Sequence, residues 1–188
     1  MTVKQFLQSK IFKCILVLMC IALISGGLLA ILNDVLAVSE EELIQRGIKA
    51  ACGESASYEE IKFPEGKKQI DFENGYVSQV LLLKDGKYAN CYLIKATGKH
   101  GFQEGSVTVY ALFKQDGEDY SVEKIAIADY ASSQTLMSKI TDAGLNRLAK
   151  NPSIAPGEIA SGATYSSTAI KNAVNSAVEY MKTINGEG

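Results

Sequence analysis

The chain has no tryptophan, a single histidine (His100) and three prolines in 188 residues. One histidine excludes a His-rich metal site, and it leaves any Ser-His-Asp triad to be assembled on His100 alone. No two cysteines stand as CxxC, so the motifs for zinc, iron–sulfur clusters and haem attachment are missing. An excess of positive charge is missing too: 19 Lys and Arg face 21 Asp and Glu, a formal net charge of −2. Neutralising phosphates needs clustered Lys and Arg, so nucleic acid is not an expected partner. Like charges form no tail; Glu40, Glu41 and Glu42 are only a short acidic patch. No period of about 20–50 residues repeats, which sets aside solenoids and propellers. Of the four cysteines, Cys14 and Cys20 lie in an apolar run. That leaves Cys52 and Cys91, which either pair in an oxidising compartment or serve as small buried apolar side chains; the second reading is preferred.

What the sequence does have begins near the amino end. Residues 14–32, CILVLMCIALISGGLLAIL, are nineteen positions without a charge. At ~1.5 Å per residue they span about 28 Å of helix, close to the ~30 Å hydrocarbon core of a bilayer. Lys4, Lys10 and Lys13 precede the run; Asn33, Asp34 and the three glutamates follow it. The positive flank predicts a single-pass cell-membrane protein with a cytoplasmic amino terminus and everything after residue 33 on the extracytoplasmic face. Ser25, Gly26 and Gly27 would let another membrane helix approach closely. The alternative is a cleaved signal peptide ending at residues 35–37, VLA, but such a peptide has an apolar core of ~7–15 residues, shorter than this one. The predicted organisation is a cytoplasmic segment (1–13), a transmembrane helix (14–32), a linker helix and approach segment (33–75) and a folded domain (76–188).

Ser39 followed by Glu42 fits a capping box, predicting a helix over 39–52 with Leu43, Ile44, Gly47, Ile48 and Ala51 on one face. Residues 53–75 are rich in turn formers. Four strand-like runs follow, at 76–83, 88–96, 106–114 and 120–129, with DG turn signals in KDGK and QDGED. They predict an antiparallel meander with Tyr92 and Ile94 on one face of their strand, and with Val107, Val109, Ala111 and Phe113 on one face of theirs. A loop with three glycines, 97–105, joins the middle pair. The pattern then turns helical. Leu136, Ile140, Leu145 and Leu148 predict a helix over 133–150, with Gly144 its weak point. Residues 151–160 form a loop with two prolines. Ile170, Val174, Ala177, Val178, Met181 and Ile184 make one stripe of a helix over 168–184, with Ser167 as its N-cap. Antiparallel strands with helices grouped around them make an α+β domain.

Ahead of that last helix stands Ser161-Gly162-Ala163-Thr164, then Tyr165, then the hydroxyl pair Ser166 and Ser167. The stretch 158–167, EIASGATYSS, resembles the flavin-attachment site of the FMN-binding domain. That domain is found in the G subunit of Rnf electron-transport complexes and the C subunit of sodium-pumping NADH:quinone reductases. The family pattern is an acidic residue, two variable positions, Ser-Gly-Ala-Thr, and a further Thr or Ser pair opening a helix. Glu158 takes the acidic place, where Asp is usual. The resemblance covers nearly the whole chain: SGGLLAILNDVL (25–36) is similar to the membrane-exit region, and GKHGFQEG (98–105) sits where the family has a glycine-rich turn. SSQTLMSKI (132–140) is similar to a segment that usually reads Thr-Pro-Gly-Leu-Gly. Thr135 and Leu136 stand there without the Pro-Gly and without the closing Gly, a departure that bears on the G subunit more than on a flavin domain.

The resemblance implies that Thr164 carries FMN through a phosphoester bond. A dedicated flavin transferase, using FAD and a divalent cation, would make the bond, with Gly162 and Ala163 giving clearance. Ser161, Tyr165, Ser166 and Ser167 would surround the attachment point. Thr135, Leu136, Tyr165 and the His100–Phe102 loop would line a slot for the isoalloxazine ring. The function implied is a membrane-anchored electron carrier beside the other membrane subunits of an Rnf-type complex, which couples ferredoxin and NAD redox chemistry to sodium or proton translocation. Two alternatives stay open: a stand-alone extracytoplasmic flavoprotein for extracellular electron transfer, and a non-redox anchored binding domain in which the hydroxyls only cap a helix. A hydrolase fits least, since SGATYSS is not G-x-S-x-G.

Overall fold

The uncharged amino-terminal run satisfies its backbone as one helix, α1 (Lys10–Leu36), in a computed structural model that describes residues 10–36, 39–117 and 119–184. Over Phe12–Leu29, α1 is long and apolar enough to cross a membrane. Its large apolar side chains, among them Ile15, Leu18, Leu23, Ile24, Leu29 and Leu32, are exposed, and Ser25 Oγ donates to the Ile21 carbonyl at 2.6 Å, so the hydroxyl is paired within the helix. Nothing lies within 4 Å of a Cβ built on Gly26 or Gly27. Lys4 and Ala37, the last residue of the VLA site, lie outside the described residues. The chain divides into two units, Met1–Glu42 and Leu43–Gly188.

Helix α2 (Glu40–Cys52) runs across that division. Glu42 N donates to Ser39 Oγ at 3.2 Å, one half of the expected capping box. Ile44, Gly47, Ile48 and Ala51 are buried, whereas Leu43, expected on the same face, is exposed.

The sheet has six antiparallel strands: β1 (Tyr58–Glu60), β2 (Ile70–Phe72), β3 (Gly75–Leu83), β4 (Tyr92–Gly98), β5 (Val107–Asp116) and β6 (Asp119–Tyr130). β3 to β6 pair in chain order, as the meander predicts; β1 and β2 both pair with the outer edge of β3, and β6 forms the opposite edge. β1 and β2 arise within 53–75, the stretch read from sequence as rich in turn formers. Each is three residues long, too short to display a period of two.

Both faces of the sheet are covered. One carries Val77, Val80, Ile94, Ala96, Val107, Val109, Ala111 and Phe113 against the carboxy-terminal helices; the other carries Leu81, Leu83, Leu93, Tyr110 and Leu112 against Ile44, Ile48 and Ala51 of α2. Val77 and Val80 share a face although three positions separate them, because a bulge between Val77 and Gln79 shifts the register. The globular unit is thus a sheet between two helical layers, of α+β class. α2, read from sequence as a linker, packs on the sheet with the unit that starts at Leu43.

Three local expectations change. The first DG signal does not close a tight turn. Leu83 and Cys91 pair instead (Leu83 N to Cys91 O, 3.0 Å), across residues 84–90, with Asn90 left-handed at φ 64°. Asp85 is otherwise engaged: its carboxylate accepts from Ser57 N (2.8 Å) and Ser57 Oγ (2.6 Å), which holds its pKa below the usual carboxylate value. The second DG signal does close tightly, with Asp116 paired to Asp119. Next, helix α3 covers only Asp142–Lys150; the residues before it form turns and a 3-10 turn at Met137–Lys139. Thr141 ends that segment and caps α3, its Oγ1 accepting from Gly144 N at 3.3 Å. Gly144 is a contact rather than a weak point: a Cβ there would overlap the carbonyl of Ile159, at the end of the short helix α4 (Pro156–Ile159). Finally, α5 (Thr164–Ile184) starts four residues before the predicted 168. Ser167 N donates to Ala163 O at 2.9 Å, so Ala163 is the N-cap, and Ser167 sits buried in the first turn. Ile170, Val174, Ala177 and Met181 of the predicted stripe are buried on the sheet, each contributing roughly 1.5–3 kcal/mol for the larger side chains. Gly98 permits this approach, since a Cβ there would overlap backbone atoms of Ala169 and Ala173.

Candidate functional site

The carboxyl ends of β4 and β6 and the amino end of α5 lie together, and three segments converge there. The first is the glycine loop after β4. Its His100, Gln103 and Glu104 adopt left-handed backbone angles of 65°, 53° and 56°, which non-glycine residues enter at a cost. The second follows β6, where local bonds fold 131–136 into turns: Gln134 N to Ala131 O at 2.9 Å and Thr135 N to Ser133 O at 2.9 Å. The third is the Ser161–Ser167 stretch. Gly162 turns the chain at φ 76° into the helix.

Between the segments is a cavity of ≈ 260 Å³ lined by Phe102, Ser133, Thr135, Leu136 and residues 162–166. Thr164 is one of its exposed hydroxyl residues, with Thr135 and Tyr165, and among the described residues the Thr164 hydroxyl makes no hydrogen bond; the Thr164 carbonyl accepts from Thr168 Oγ1 at 2.9 Å. Three large apolar side chains stand open to water around it: Tyr165 is 63% exposed, Phe102 44% and Leu136 42%. The Phe102 and Tyr165 rings meet edge-on, centroids 5.9 Å apart. Exposed apolar groups gathered around one concavity mark a binding surface more than a solvated one.

The cavity's charge comes from two sources. The N–H groups of Thr164, Tyr165 and Ser166, the first three of α5, have no helical carbonyl one turn back and carry the positive end of the helix dipole. Lys139 brings its ammonium beside Gly162, where a built Cβ would lie 2.9 Å from Nζ. Ser166 is buried, and its hydroxyl donates to Gln134 Oε1 at 2.9 Å.

The structure thus brings together Thr164, Gly162, Ala163, Tyr165, Ser166, Thr135, Leu136 and Phe102 of the residues singled out from sequence. It does not bring Ser161, Ser167 or His100 to the cavity wall. Ser161 is exposed beside it. Ser167 is sealed, its Oγ without a hydrogen-bond partner among the described residues. His100 is exposed with Nδ1 3.6 Å from Glu104 Oε2. Glu158 braces the approach rather than the cavity: its Oε1 accepts from Ala155 N at 3.2 Å, and its carbonyl accepts from Arg147 Nη2 at 2.6 Å. Ser133, Gln134 and Lys139 were not singled out from sequence. They sit in the stretch read as helix, where a polar residue passes for solvent-facing surface.

A larger groove of ≈ 650 Å³ lies along β6 and α3, reaching Lys124, Tyr130, Met137 and Asp142; none of residues 161–167 reaches it. Cys91, buried, and Cys52, half-buried against the same cluster, are free thiols on the α2 side of the sheet. Burial pushes the Cys52 thiol up to about 11, against a smaller opposing pull from Lys124, and burial raises Cys91 as well. No known protein family, curated protein or solved structure matches this chain.

Proposed function

We propose that Thr164 carries FMN and that the chain is a membrane-anchored electron carrier of the FMN-binding-domain type, working within an Rnf-type redox-driven ion-translocating complex. The observation that supports this reading best is the pairing of an exposed, unengaged threonine hydroxyl with three exposed apolar side chains around one cavity. A hydroxyl alone would suit many loops; a hydroxyl beside an apolar slot suits a ligand with a polar tether and a flat apolar body.

The residues fit the group. In attachment, the Thr164 oxygen would replace adenylate on the flavin's inner phosphate; AMP leaves and the hydroxyl proton is released, with the transferase supplying the activation. Gly162, having no Cβ, lets the Lys139 ammonium stand close to the attachment point, and the phosphoester's remaining charge would face the α5 amide groups and Lys139. Phe102, Tyr165 and Leu136 would shield the ring from water, and Ser133 and Thr135 supply hydroxyls at the wall. Bound FMN supplies reversible electron transfer at its ring, and the protein supplies position and surroundings. The covalent tether keeps the flavin at high effective concentration where a lost one is not replaced. Apolar α1 would hold the domain at the membrane, with the globular unit outside, as the lysines before the span suggest.

A stand-alone extracytoplasmic flavoprotein is the second reading, favoured by the 132–140 segment, which lacks the family's Pro-Gly and closing Gly. A non-redox domain whose hydroxyls cap a helix is disfavoured by the cap itself: Ala163 occupies that position and has no side-chain oxygen. The test is co-expression with a flavin transferase, followed by in-gel flavin fluorescence of the denatured chain. Wild type should fluoresce and gain the mass of FMN, Thr164→Ala should do neither, and Thr168→Ala should match wild type. A wild-type chain without added mass ends the proposal.

A further inference from the structure

The glycine loop and the start of α5 are far apart in sequence, yet one side chain joins them. Gln134 is 1% exposed. Its Oε1 accepts from Phe102 N at 3.2 Å and from Ser166 Oγ at 2.9 Å; its Nε2 donates to Phe102 O at 2.8 Å and to Ser133 Oγ at 3.1 Å. A primary amide has two donors and two acceptor sites, so the group is saturated. The Phe102 backbone also fixes which end is which, because its N–H requires the oxygen and its carbonyl requires the nitrogen.

The loop is shaped to admit this amide. A Cβ on Gly101 would stand 2.9 Å from both amide heteroatoms of Gln134, and one on Gly105 would stand 2.5 Å from Nε2. Two of the three glycines therefore make room for Gln134. The loop's left-handed residues give it a conformation that persists only when its surroundings over-determine it. Gln134 does so through both backbone polar groups of Phe102, with Ser133 Oγ adding a bond to the same carbonyl at 3.1 Å.

We infer that Gln134 is a positioning residue: its buried amide locks the Phe102 loop to Ser166 in the first turn of α5 and so sets the width of the slot beside Thr164. The role in flavin placement rests on the function proposed above; the lock itself is a property of the fold. A side chain of similar size without the amide would fill the space but leave the half-buried Phe102 N–H without Gln134 and the buried Ser166 hydroxyl unpaired.

The experiment uses the full chain in detergent, co-expressed with a flavin transferase, as wild type, Gln134→Leu and Ser166→Ala. Two quantities are read: the exchange rate of the Phe102 amide hydrogen, and the fluorescence yield of the attached flavin in the folded protein. Gln134→Leu should speed Phe102 exchange about tenfold or more, Ser166→Ala about threefold, with amides inside β4 and β5 unchanged. Flavin should still attach through Thr164, but its fluorescence should rise as Phe102 and Tyr165 move off the ring. A purely structural role would lower the melting temperature without altering the flavin's emission below it. Unchanged Phe102 exchange, or a released loop with unaltered emission, overturns the inference while leaving the Thr164 assignment intact. A wild-type chain without flavin overturns the Thr164 assignment and the positioning role together. If Gln134→Leu fails to fold, the Ser166→Ala comparison decides by the same two readings.

Discussion

Thr164 and Ser167 lie three positions apart and have opposite surroundings. One hydroxyl is exposed in a cavity; the other is fully buried and, among the described residues, unpaired. Helix geometry explains the contrast, since residues three apart sit on neighbouring but not identical angular positions, and α5 meets the sheet along a stripe that takes in Ser167. Chemistry at this row of hydroxyls is thereby confined to the side facing the loop. Cys52 shows the same control by surroundings at the other face of the sheet. Its thiol is pushed by burial from the ordinary 9.0 to about 11, so between those values the folded chain keeps a proton that the unfolded chain releases. The stability this contributes is present below pH ~9 and is lost as pH rises toward ~11. Cys52→Ala should therefore show a smaller fall in melting temperature from pH 9 to 11 than wild type. Tyr110, Tyr92 and Tyr180, also raised by burial, should leave a residual fall in both proteins.

At the scale of elements, the seat of α5 on β4 is made by main chain. Gly98→Ala places a methyl against backbone of Ala169 and Ala173, which no rotamer change relieves, so the helix must lift from the strand. The expected loss is about 3 kcal/mol, read from denaturant unfolding. A loss under about 0.5 kcal/mol would mean the helix shifts freely. The elements whose residues repeat with a clear period were legible in the sequence: the α5 stripe of Ile170, Val174, Ala177 and Met181, and β3 to β6. Elements defined by a partner were not. β1 and β2 exist because the edge of β3 pairs with them, and the helix predicted over 133–150 gives way before Asp142, where Gln134 turns inward to bond Phe102. Leu136 and Ile140 gave that stretch its helical look, but a period cannot show that an intervening glutamine is buried. Of the site, the small-and-hydroxyl row around Thr164 was legible as a motif. Lys139 and Ser133 were not, because their proximity to it comes from tertiary folding.

At the scale of the whole molecule, an apolar helix and a globular unit divide the chain. The full chain should remain with membranes through an alkaline carbonate wash, whereas a chain starting at Ser39 should stay in the soluble fraction. Release of the full chain by the wash would show that α1 does not anchor it. The sheet's two margins carry a further consequence. At one, β1 and β2 are three residues each; at the other, β6 sets Asp119, Glu123 and Asp129 outward and is kinked by two register shifts against β5. Short, charged and kinked borders make poor templates for strand addition. Copies crowded side by side would collide without knitting into fibrils, and the population would stay dispersed at high surface density.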